Sequence, residues 1–69
     1  MKFNIGDRVF NDRDNKFGTI IEWYEDNDGD DERGRPIIML IPVVKHDDGT
    51  EAIVRDWYLQ KEVFFNAVK

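Results

Sequence analysis

The chain contains no cysteine, so it can form neither a disulfide framework nor a thiolate metal site. Serine is absent too: the only aliphatic hydroxyls are Thr19 and Thr50, and neither stands beside a base. The single histidine, His46, sits just ahead of a turn signal and reads as an ordinary strand-end residue. No hydrolytic triad can be assembled from this stock, so no enzyme activity, catalytic residue or cofactor is expected. Long apolar stretches are also missing. The longest run, residues 37–41, falls far short of the ~20 residues that span a bilayer. Residues 1–7, Met-Lys-Phe-Asn-Ile-Gly-Asp, lack the apolar segment of a secretory signal. The expectation is a cytoplasmic protein without membrane contact.

What is present fits one small domain, residues 1–69. A chain of this length buries only about 60% of the surface its unfolded form exposes, which leaves a thin stability margin. Nine aromatic residues supply large buried areas to offset that. Net charge is −5, but it is unevenly placed. Residues 22–32 hold seven acids (Glu22, Glu25, Asp26, Asp28, Asp30, Asp31 and Glu32) and no base. The remaining eight acids are set against ten bases, so one acidic segment sits on a mildly basic body.

The pattern along the chain is that of short strands. Residues 7–11 (DRVFN) read as a first strand and residues 12–16 as a polar turn. Residues 17–24 (FGTIIEWY) are dense in β-branched and aromatic side chains, which suit a pleated, half-buried surface. Gly18 within them predicts a bulge or a close backbone approach. Residues 25–36, EDNDGDDERGRP, have no apolar residue before Pro36 and predict a long, solvated acidic loop between strands two and three. Residues 36–46 (PIIMLIPVVKH) predict the third strand, with Pro42 marking a bulge or an edge because it has no N–H to donate. Asp47-Asp48-Gly49 is a tight-turn signal. Residues 50–55 alternate, with Ala52 and Val54 on one face and Glu51, Ile53 and Arg55 on the other. Asp56-Trp57-Tyr58-Leu59 reads as one helical turn capped by Asp56, and residues 60–68 as the closing strand.

Two stretches carry a resemblance. One is Ile5-Gly6-Asp7-Arg8-Val9 followed by Phe17-Gly18-Thr19-Ile20. The other is Val43-Val44-Lys45-His46-Asp47-Asp48-Gly49 followed by Val54 and Leu59. Together they resemble small bacterial and phage SH3-like domains of the KOW, Tudor and chromo-barrel kind. The resemblance implies an all-β, five-stranded SH3-like barrel with a short helical turn before the last strand. It places Val9, Ile20, Val54 and Leu59 inside. Barrels of this kind carry many unrelated activities, so the likeness speaks to fold more than to function.

The candidate binding residues are the aromatic pairs and the acidic segment. In Tudor-like barrels, aromatics at loop edges form cages for methylated cations. Adjacent strand residues face opposite ways, so at most one of Trp23 and Tyr24 points inward. Trp23, Tyr24, Trp57 and Tyr58 are read mainly as core-filling, with an exposed aromatic patch as the alternative. Asp26, Asp28, Asp30, Asp31 and Glu32 could face a basic partner or mimic phosphates, but mutual repulsion in a solvated loop is the plainer reading. A metal site is not expected: with Gly29 at the sixth position of an EF-hand loop, positions one and twelve are Tyr24 and Arg35. Lys2, Arg8, Arg13, Lys16, Lys45 and Arg55 could cluster against nucleic acid, but a pI near 4.6 weighs against that. Residues 37–41 exceed the apolar content of a two-faced strand. One face could lie under Phe64 and Phe65, or the run could form a homodimer or partner interface. The functional expectation is a small interaction module for a protein partner. The alternatives are a nucleic-acid-associated accessory domain and an acidic DNA mimic.

Overall fold

A computed structural model of the chain describes residues 3–63. It is all-β, with strands β1 (Arg8–Asn11), β2 (Lys16–Asp30), β3 (Pro36–His46), β4 (Glu51–Ile53) and β5 (Leu59–Lys61). A 3₁₀ turn, Asp56–Tyr58, precedes β5. All pairings are antiparallel, and the single sheet runs in the order β4-β3-β2-β1-β5. The described pairings leave this sheet open between β4 and β5.

The sheet is nevertheless strongly curled. Val9, Ile20, Val44, Val54 and Leu59 form one buried cluster with Phe3, and Trp23 and Ala52 pack against it. Val54 follows β4 at one edge of the sheet, and Leu59 opens β5 at the other. Both can enter the same cluster only if the edges bend toward each other. Val9, Ile20, Val54 and Leu59 are thus inside, as the sequence pattern predicts.

Two backbone features make the curl possible. Gly18 lies against β3 so closely that a Cβ would stand 2.6 Å from both the Lys45 carbonyl oxygen and Val44 Cγ1. It is the predicted close approach. Farther along β2 the register with β3 shifts at Ile21, so that Ile20 faces Val44 but Glu22 faces Val43. The extra residue reverses which side chains point inward. Trp23, opposite Pro42, therefore follows Ile20 to the core side, and Tyr24 is turned outward.

Pro42 sits at an edge, as its missing N–H requires. The Val54 N–H donates to its carbonyl (3.0 Å), so Pro42 aims both backbone groups away from β2, where β4 ends. No bond of the β2–β3 ladder is lost. Gly49, at φ +92°, closes the β3–β4 hairpin, and its N–H donates to the His46 carbonyl.

Three expectations need correction. Residues 25–36 are not a long loop: β2 runs on to Asp30 and pairs with β3, so that Glu25 faces Leu40 and Asp26 faces Met39. Only the residues around Asp31–Arg35 turn. Solvated carboxylates do not prevent a ladder when the partner strand, Ile37–Leu40, is uncharged and apolar, with β-branched Ile37 and Ile38. Asp56 makes no capping bond: it lies inside the turn, whose preceding residue is Arg55. The last strand is only Leu59–Lys61: Glu62 and Val63, predicted as strand, are helical, and residues 64–68 of the predicted strand, with Phe64 and Phe65, lie outside the described residues.

Candidate functional site

Beyond Pro42 the β2–β3 pair leaves the body of the sheet. β4 pairs only with Val43, Val44 and Lys45, and β1 covers only the first part of β2. Residues 25–30 and 36–40 thus form a two-stranded arm with no further strand on either side among the described residues. The molecule measures 46 × 25 × 19 Å, long in one direction as such an arm makes it. Ile37, Ile38, Met39 and Leu40 are all exposed, from 38% to 51%. Strand alternation puts Ile38 and Leu40 on the core-side face and Ile37 and Met39 on the other, so neither face of the arm is covered. The sequence allowed one alternating set to be buried. The structure buries only Ile41, at the root of the arm.

The acids separate by role. Asp31 organises the tip: its Oδ1 accepts the Arg33 N–H (2.8 Å) and the Arg35 N–H (2.9 Å). Asp26 reaches Arg55, Nη2 to Oδ2 at 3.6 Å. Asp28, Asp30 and Glu32 are exposed and make no ion pair among the described residues. The five predicted acids are therefore not one uniform surface, because two of them maintain the arm itself.

The aromatics separate as well. Trp23 packs on the core. Tyr24 is 45% exposed and lines a groove with Glu22, Val43, Glu51, Ala52 and Ile53. Trp57 is 70% exposed, the highest value among the large hydrophobic side chains of the described residues. Its ring tilts against Tyr58 (centroids 6.1 Å apart), with the Arg55 guanidinium 5.7 Å from its centroid. No ring contact joins Trp23 or Tyr24 to this pair among the described residues, so the four do not assemble a cage. Arg55 is what links the 3₁₀ turn to the arm. The sequence marked it only as one of several scattered bases, since its two partners lie 29 residues before and two residues after it.

The body contains one buried polar cluster. Asn11 is fully buried and His46 is 4% exposed. Asn11 Oδ1 accepts the backbone N–H groups of Arg13 (3.1 Å) and Asp14 (3.4 Å), which orients its amide. Its Nδ2 then faces Asp14 Oδ2 and His46 Nε2, both at 3.0 Å. An amide nitrogen only donates, so His46 Nε2 must accept and the ring proton sits on Nδ1, 3.0 Å from Thr50 Oγ1. Thr50 passes the chain on to Asp48 at 2.6 Å. His46 ends its strand as predicted, but it also ties β1 to the β3–β4 hairpin. Every nitrogen of the cluster is occupied, so this is a structural latch.

Around the latch the charges are mutually neutralised. Arg8 grips Asp47 with two bonds (2.7 and 2.8 Å) and Glu62 with a third (3.1 Å). Asp47 holds the Arg8 proton more tightly than usual, with Glu62 adding to the effect. Arg8 in turn lowers the Asp47 carboxyl, and Arg13 lowers that of Asp14. Lys16, 2.8 Å from Asp48, holds that carboxyl far below its ordinary range, with help from Thr50. No group of three metal-ligating side chains is present among the described residues. None of their helices is long and apolar enough to cross a membrane. No protein-family model matches the chain, and neither does any curated protein or any solved structure.

Proposed function

We propose that the chain is a non-enzymatic, cytoplasmic interaction module, built as an SH3-like barrel, that binds a protein partner through its β2–β3 arm. The observation that carries this reading is the exposure of four consecutive large apolar residues, Ile37, Ile38, Met39 and Leu40, on the part of β3 that pairs with β2 alone among the described residues. Contiguous exposed apolar surface marks interaction sites, and an unpaired strand edge beside it offers backbone hydrogen bonds to an extended segment. The strand order β4-β3-β2-β1-β5, the 3₁₀ turn before β5 and a core shared by both sheet edges support the barrel reading. Tyr24 and Ile53 extend the apolar surface toward the body, while Asp28, Asp30 and Glu32 border it at the far end.

The nucleic-acid reading is weaker. Of the bases that could have formed a basic face, Arg8, Arg13, Lys16 and Arg55 are each paired with a carboxylate. A surface so neutralised releases few counterions from a phosphate backbone.

Affinity capture from the source cell tests the proposal. Wild-type bait is compared with the doubly substituted Ile38→Ser/Leu40→Ser bait. The expected result is one or more proteins held by wild type and lost from the variant, with retention insensitive to salt. Equal recovery on both baits would remove the arm from the function. Recovery of nucleic acid that vanishes as salt rises would favour the alternative.

A further inference from the structure

Among the described residues the arm has two open edges, and they differ in chemistry. The β2 edge belongs to a strand carrying Glu25, Asp26, Asp28 and Asp30; the β3 edge belongs to Ile37–Leu40 and carries no charge. Backbone parity shows which groups the β3 edge presents. Pro42 points its carbonyl to the β4 side, so Leu40, Ile38 and Pro36 point theirs the same way. Beyond the end of β4, that edge offers two N–H donors, from Ile38 and Leu40. Prolines stand at both ends, where no donor exists.

We infer that the occupant of this edge is a second copy of the same chain, paired antiparallel, β3 to β3, about a two-fold axis beside Ile38. The inference rests on the interaction-module reading and names its partner. In this register each Ile38 N–H meets the carbonyl of Ile38 in the other copy, and each Leu40 N–H meets the carbonyl of Pro36. Both donors of the edge are satisfied, and Pro36 is needed only as an acceptor. Like meets like, with apolar residues beside apolar residues on both faces of the joined sheet.

Charge decides between the edges. Pairing through β2 would bring two acidic strands to one strand spacing, about 4.8 Å. Pairing through β3 places both β3 strands between them and separates the acids by three spacings, about 14 Å, beyond the Debye length of about 8 Å at physiological salt. A basic foreign peptide on the β3 edge would lie against Ile37–Leu40 rather than against the carboxylates. The apolar edge is thus better matched by its own copy. The outward acids then discourage further strand addition at the flanks, so assembly stops at two.

Sedimentation equilibrium on the full chain tests this, with Ile38→Pro as the main variant. Proline is already present at two positions of the same parity, and the Ile38 N–H takes no part in the β2–β3 ladder, so the arm is kept. Wild type is expected at twice 8.2 kDa in the high micromolar range. Ile38→Pro removes two symmetry-related hydrogen bonds and is expected to weaken association by about thirtyfold. Amide exchange of Val9, Ile20 and Val44 serves as the folding control and is expected to match wild type. A wild-type monomer throughout that range overturns the homodimer, as does a dimer that Ile38→Pro leaves unchanged with the folding control intact. If Ile38→Pro fails the folding control, Leu40→Lys replaces it under the same criteria. A monomer that still captures a foreign protein through the arm overturns this inference and keeps the module. A monomer that captures nothing overturns both.

Discussion

The same two strands build both the body and the arm, yet they do so under opposite conditions. Near β1 and β4, β2 and β3 carry Ile20 and Val44 at zero exposure; fewer than ten residues farther on, beyond the extra residue at Ile21, Ile38 and Leu40 are about half exposed in the same pair of strands. The hydrogen-bonded ladder is continuous across the boundary, but the layer of side chains beneath it is not. Backbone pairing therefore sets the shape of the hairpin, while burial sets where the stability resides, since each backbone bond nets only about 1 kcal/mol against water. An isolated two-stranded ribbon is marginal in water, so the outer half needs either the body or a partner to hold it.

That contrast can be broken by substitution. Ile20→Ala, at a site with no exposure, is expected to cost about 3 kcal/mol by urea denaturation. For a small domain this is a large share of the total. A loss below about 1 kcal/mol would mean that the cluster is loosely packed and that the body resembles the arm.

Acid sharpens the comparison from the side of charge. Lys16 and Thr50 lower the Asp48 carboxyl in the folded body, whereas in the unfolded chain it titrates near about 3.9. A carboxyl lowered on folding stabilises above its unfolded pKa, and that contribution fades as pH falls through the folded value. Asp48→Asn is therefore expected to melt below wild type at neutral pH, with the gap closing as pH drops from about 5 toward 2. The group is solvent-exposed, so the gap is small. A constant gap across that range would assign the effect to lost hydrogen-bond geometry rather than to charge.

The smallest effect is expected in the arm. In dilute solution, where the chain is monomeric, Ile38→Ala is expected to change unfolding stability by less than about 0.5 kcal/mol. Denaturation side by side with Ile20→Ala is the check. Equal losses would show that the arm packs on the body and that its exposed face is not a free surface.

Much of this was legible in the residues. The β-branched density of β2, the turn at Gly49, the edge position of Pro42 and the close approach at Gly18 each follow from one residue's geometry. The alternation through Ala52 and Val54 placed the inner face of β4. The acidic segment misleads because its composition predicts a solvated loop, whereas its pairing depends on the uncharged strand that follows the turn. Of the candidate site residues, Tyr24, Trp57, Tyr58, Asp28, Asp30 and Glu32 are exposed as a binding role requires. Trp23 belongs to the core, and Asp26 and Asp31 maintain the arm. Neither Arg55 nor Asn11 could be picked out, since Arg55 reaches Asp26 and Asn11 reaches His46 across a long stretch of sequence.

Local chemistry alone was enough for an all-β chain and its strand order along the sequence, because alternation, glycine and proline act over a few neighbouring residues; the inward-facing Val9, Ile20, Val54 and Leu59 came from the family resemblance. Tertiary structure decided the rest. One extra residue at Ile21 chose Trp23 over Tyr24 for the interior, and the early end of β4 left Ile37–Leu40 uncovered. Both outcomes depend on register between distant strands, and a one-residue shift in register exchanges the two faces of everything beyond it.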